Sequence, residues 1–106
     1  MRRGKYAVIL SSRADLTLAR HIEFMARVDS KAARNLLADF RTASARIGDN
    51  PLMFPYADET DIPGIPKETY RKCLFHNRYK AIYIFENETA YIDVIIDCRQ
   101  KNDNLF

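Results

Sequence analysis

Apolar and polar positions along this chain follow two periods, and the switches between them divide it into strands and helices. Lys5 to Ser11 reads KYAVILS, β-branched and aromatic residues closed by a serine pair, which predicts a short, well-buried strand. Ser11 or Ser12 then caps a helix running to about Val28. Leu18, Ile22 and Met25 recur at three- and four-residue steps, with Arg20, Glu23 and Arg27 on other faces. Asp29-Ser30 restarts the pattern. From Lys31 to Ile47 the apolar set is Ala33, Leu36, Leu37, Phe40, Ala43 and Ile47, a helical stripe that Gly48 is expected to end and Pro51 keeps from resuming. Two amphipathic helices with so short a joint form a hairpin, and each needs an apolar surface to cover.

Gly48 to Pro66 contains all four prolines and reads as a surface loop, since neither flank is long enough to fold alone. Three period-two segments follow: Glu68 to Phe75, Tyr79 to Glu86 and Thr89 to Asp97. Their connections, His76-Asn77-Arg78 and Asn87-Glu88, are short and polar, so the strands are expected to form an antiparallel meander. In the last strand, alternation puts Ile92, Val94 and Ile96 on one face and Tyr91, Asp93 and Asp97 on the other. The order strand, two helices, three strands predicts an α+β fold: a four-stranded, mainly antiparallel twisted sheet with the helical hairpin on one face and the other face partly open. No internal repeat is visible.

With 106 residues and 12.3 kDa, the chain is expected to form one domain spanning 1–106. Its 47% hydrophobic content supports one core, and 29% charged residues without a low-complexity run argue against disorder. The apolar run from Tyr6 to Leu10 is too short for a signal sequence or a membrane span. Cys73 and Cys98 are too few for a disulfide framework and lack the spacing of a redox or zinc pair, and His21 and His76 add no metal-site spacing. Both thiols read as core or strand residues in a reducing cytoplasm, with no metal or cofactor implied.

The net charge of +3 is less informative than its placement. Between Lys67 and Lys80 stand Lys67, Arg71, Lys72, Arg78 and Lys80 against the single acid Glu68, and Arg99 and Lys101 follow the last strand. If the strands pair as a meander, Arg71, Lys80 and Arg99 converge near one end of the open face, where guanidinium and ammonium groups hold phosphates. Asp93 and Asp97 are then placed to pair with Arg71 or Lys80 and partly cancel the patch; ordinary solvated strand cations are the plainer account of the same residues. Tyr70, Tyr79, Tyr83 and Tyr91 offer rings for base stacking. Tyr79, Ala81, Tyr83 and Phe85, however, share one face of a central strand and are expected to pack under the helices. His76, in a turn, is a proton carrier by residue type. There is no glycine-rich phosphate loop and no helical glutamate pair.

The combination of VILS in the opening strand, a second helix ending in RIGDNP, a proline-containing loop, then YRKCLF, RYKAIYIF and YIDVIIDCRQ resembles the RelE/ParE toxin superfamily over nearly the whole chain. The resemblance implies a twisted antiparallel sheet carrying a helical hairpin, and the toxic half of a type II toxin–antitoxin pair silenced by a cognate antitoxin protein. RelE-type members cut messenger RNA in the ribosomal decoding site, using sheet cations and often a tyrosine or histidine near the C-terminus to assist attack of the ribose 2′-hydroxyl on the adjacent phosphate. ParE-type members lack that set and inhibit DNA gyrase. Carried over by position, Arg71, Lys80 and Arg99 form the catalytic set and Lys67, Lys72, Arg78 and Lys101 the nucleic-acid-binding one. Cys73 stands where another lysine is common, Lys80 where arginine is usual, and Phe106 close to the usual tyrosine, where it offers no ionisable proton. The resemblance therefore favours a ribosome-dependent mRNA endonuclease, with a gyrase inhibitor or a degenerate toxin fold as its alternatives.

Overall fold

The computed structural model describes residues 5–98. Its elements are β1 (Ala7–Leu10), α1 (Ser12–Val28), α2 (Ser30–Asp49), β2 (Arg71–Phe75), β3 (Tyr79–Glu86) and β4 (Thr89–Asp97). The sheet order is β1-β4-β3-β2. The expected α+β architecture is present: β2, β3 and β4 form an antiparallel meander, and the α1–α2 hairpin covers one face. The sheet is mixed, because β1 pairs with the last strand in parallel.

The local chemistry explains the element ends. Ser11 caps α1, its hydroxyl accepting the Ala14 N–H at 3.0 Å. Asp29 closes α1 through its own N–H and opens α2 by accepting the Lys31 N–H, so one residue makes the joint. Gly48 does not end α2. The helix continues to Asp49 with Asn50 as its C-cap, and Gly48 is buried where its carbonyl accepts the Tyr6 N–H at 2.8 Å. At both hairpin turns two consecutive non-glycine residues take positive φ, His76-Asn77 (55° and 51°) and Asn87-Glu88 (52° and 60°). That is the type I′ geometry whose twist matches the flanking strands.

Under the helices, Ala14, Leu18, Leu36, Phe40, Ala43 and Ile47 pack on Cys73, Phe75, Tyr79, Ala81, Tyr83, Ala90, Ile92 and Ile95. Tyr79, Ala81 and Tyr83 thus lie beneath the hairpin, as their alternation implied, and Phe85 packs against the same cluster.

The other face is partly open, as expected, with Leu74 and Tyr91 exposed on it, but its middle is covered: Ala57, Ile62 and Ile65 of the proline-rich segment pack on Ile82, Val94 and Ile96 as a second apolar cluster. The apolar residues between its prolines need burial, and the segment hydrogen-bonds to the sheet edge through Ala57 N–H to the Tyr70 carbonyl and Lys72 N–H to the Pro55 carbonyl. The simple alternation of β4 breaks. Ile82 pairs with Val94 but Tyr83 pairs with Ile92, so Asp93 is an extra residue in a β-bulge. One added residue inverts every later side chain relative to a period of two. Ile92 therefore faces the helices while Val94 and Ile96 face the loop, and Asp97 comes to the helix side opposite Tyr79.

Candidate functional site at the end of the sheet

The predicted cations do not form one patch. Arg71 pairs across the sheet with Tyr83, on the helix side, whereas Lys80 pairs with Leu74, on the loop side, so pleating sends the two to opposite faces. Arg71 donates to the Phe54 carbonyl at 2.7 Å and to the Leu52 carbonyl at 3.4 Å, and its guanidinium lies 4.2 Å from the Tyr56 ring centroid. It fastens the start of the loop to the edge strand.

Lys72 and Lys80 share the loop face and converge on Asp61. Its carboxylate is 1% exposed and accepts Lys72 Nζ at 2.7 Å, Lys80 Nζ at 2.5 Å and the Asp58 N–H at 3.0 Å. Burial pushes the Asp61 carboxyl up, but the hydrogen bonds from Lys72, Lys80 and Asp58 outweigh it and hold the group below the usual carboxylate range. Two lysines around one carboxylate leave a single net positive charge. Asp93 does not pair with Arg71 or Lys80; it binds Arg13 at 3.1 Å. Lys67 is exposed on the loop. Arg99 and Lys101, like Phe106, lie outside the described residues.

A different group forms where α1 crosses the ends of β3 and β4. Ala14, Leu18, His21 and Met25 repeat at helical spacing along the inward face of α1, which sets the His21 imidazole against the sheet. His21 Nδ1 lies 3.2 Å from the Tyr79 hydroxyl, with the rings edge to face at 5.1 Å. Beside Tyr79, the bulge has brought the Asp97 carboxylate into the protein, where its Oδ2 accepts Arg78 Nε at 3.0 Å and Nη2 at 2.8 Å. The Arg78 guanidinium lies 5.3 Å from the Tyr79 ring centroid, and the His76 ring stacks near the same ring at 6.3 Å while its Nδ1 contacts Asp39 Oδ2 at 2.7 Å. Burial lowers the His21 pKa more than the facing Asp97 raises it, and Arg78 adds to the lowering. The imidazole is thus neutral at pH 7.

Arg20, His21, Phe24 and Arg78 line an open groove of about 290 Å³ here. Phe24 is 62% exposed at its rim. Arg78 was expected to bind nucleic acid and does reach this groove, paired with an internal acid. His21 was not expected in this groove, although its position between Leu18 and Met25 on the apolar stripe set it against the sheet.

Cys73 is buried, and burial raises its thiol pKa, so it is an unreactive core group. Among the described residues no cluster of three or more His, Cys, Asp or Glu is placed to hold a metal ion, and no helix is long and apolar enough to cross a membrane. Compared with protein-family models and with curated proteins, the chain matches none.

Proposed function

We propose that this chain is the toxin of a type II toxin–antitoxin pair of the RelE/ParE kind, silenced by a cognate antitoxin, and that it cuts messenger RNA on the ribosome. The observation that supports the class is the agreement between motif and element along the chain. VILS covers the end of β1 and its helix cap, RIGDNP ends α2, YRKCLF enters and forms β2, RYKAIYIF forms β3 and YIDVIIDC closes β4, in the strand and hairpin arrangement the resemblance implies. The cleavage mode draws support from the end of the sheet, where an imidazole, a phenol and a guanidinium meet within reach of solvent. Those are the group types that move protons and steady a charged phosphorane.

Inhibition of DNA gyrase by surface contact is the second reading. It is favoured by a specific observation: Arg71 is engaged by backbone carbonyls on one face of the sheet and Lys72 and Lys80 by Asp61 on the other, so the three form no common patch.

Induced expression of the chain is expected to arrest growth, and co-expression of its antitoxin, sought as the product of an adjacent gene, to restore it. Mapping 5′ ends of mRNA on translating ribosomes, beside a gyrase supercoiling assay, decides the mode. New mRNA ends with unaltered supercoiling support cleavage; the reverse supports gyrase. Normal growth under full expression refutes the toxin reading.

A further inference from the structure

The groove beside His21 has a composition that its structural role does not require. An aromatic side chain at a solvent-facing helix position gains little stability there, yet Phe24 stands 62% exposed at the rim. One turn before it Arg20 enters the same groove, and among the described residues no acid pairs with Arg20. Arg78 lines the same groove. Both of its bonds to Asp97, from Nε and Nη2, fall on one carboxylate oxygen, so the remaining donors of its guanidinium are left for a second acceptor. His21, held against the Tyr79 hydroxyl, is the remaining lining residue. A flat apolar ring, two guanidinium groups and an imidazole around one open cleft match the parts of a nucleotide: a base face, a phosphate and a hydroxyl proton.

We infer that this groove binds one nucleotide of single-stranded RNA, with Phe24 stacking on the base, Arg20 and Arg78 holding the adjacent phosphate and His21 accepting the proton of the 2′-hydroxyl. The inference rests on the cleavage mode proposed above and gives that mode a location away from the sheet cations. The step uses the tautomer in which Nδ1–H donates to the Tyr79 hydroxyl oxygen, 3.2 Å away, and the other ring nitrogen accepts the proton. In the step, the 2′-oxygen forms a bond to phosphorus as its proton passes to His21. The bond from phosphorus to the 5′-oxygen breaks, and that oxygen takes a proton from water. The products are a 2′,3′-cyclic phosphate and a 5′-hydroxyl, and His21 then returns its proton to solvent. No metal and no redox partner enter the balance. The groups facing His21 are Tyr79 from β3, Asp97 from β4 and Arg78 from the β2–β3 turn, with His76 beyond Tyr79.

The test uses the full-length chain and its His21→Gln, Phe24→Ala and Arg20→Ala variants, each first checked by thermal melt. Phe24 and Arg20 are exposed, so their removal leaves the core intact. On translating ribosomes, H21Q is expected to cut mRNA about 100-fold more slowly or worse, and to lose the acidic limb of the wild-type pH–rate profile. Fluorescein-labelled hexauridylate, followed by anisotropy without ribosomes, is expected to bind F24A about tenfold more weakly and to bind R20A with a shallower salt dependence. Wild-type cleavage by H21Q with undiminished hexauridylate binding by F24A overturns the inference and leaves the toxin reading standing. A wild-type chain that binds hexauridylate through Phe24 but cuts no mRNA upholds the groove and overturns the cleavage mode.

Discussion

Replacing Asp61 with asparagine tests how the proline-rich segment is held to the sheet. The substitution keeps size and shape but removes the charge that two ammonium groups share at 2.7 and 2.5 Å. Breaking a buried ion pair by removing one partner costs about 3–5 kcal/mol when the remaining charge has no escape. Here the lysine side chains are 26% and 27% exposed and can turn their ends to water, which reduces the loss. The apolar contacts of Ala57, Ile62 and Ile65 remain. A loss of about 2 kcal/mol follows, which in a domain of this size lowers the midpoint of urea unfolding by roughly 1 M and Tm by roughly 10 °C. The pH dependence provides a second reading of the same contact. Because the folded carboxyl lies below its ordinary value of 3.8, the unfolded chain binds more protons as the pH falls past that value. The contribution of Asp61 is therefore complete at neutral pH and is lost on acidification below about pH 4. Urea unfolding followed by far-ultraviolet circular dichroism at pH 7 and at pH 3 measures both, and the gap between wild type and D61N is expected to narrow at pH 3. A D61N variant within about 0.5 kcal/mol of wild type at pH 7 would refute the clamp, since surface substitutions commonly fall in that range.

Three further outcomes follow from particular contacts. The buried Tyr83 hydroxyl donates to the Pro51 carbonyl at 2.6 Å, so Tyr83→Phe is expected to cost about 1–2 kcal/mol in urea unfolding by leaving that carbonyl without its partner. Glu88 holds φ at 60° in the β3–β4 turn, a conformation that glycine takes without strain, and Glu88→Gly is expected to raise stability by about 0.5–1 kcal/mol. Because His21 has a folded pKa below its ordinary 6.5, the unfolded chain binds the extra proton first on acidification. Wild-type stability should therefore fall as the pH drops from about 6.5 toward 5, and His21→Gln should flatten that slope in thermal melts across the same range.

Local signals carried most of the architecture. The serine pair at residues 11 and 12, the aspartate at 29 and the short polar turns act within a few residues of themselves, through caps and dihedral preferences that need no distant partner. The helical stripe of α2 and the alternation of β3 likewise named their buried residues, because a repeating apolar face must find a surface to cover. The site was less legible. Arg71, Lys72 and Lys80 are close in sequence and all basic, which suggests one patch. Yet pleating separates Arg71 from the other two, and the partner of both lysines comes from a loop that reads as surface.

What the sequence determined by itself was thus the kind and order of the elements, the hairpin that covers the sheet and the strand face beneath it. The tertiary structure decided the rest: the parallel pairing of β1 with β4, the bulge at Asp93, the burial of Asp61 and the meeting of His21 with Tyr79. Each of these depends on which distant residues become neighbours. A single unpaired residue reverses a strand's faces, and an acid is driven inside only when its cations arrive with it; neither condition is written in a local period.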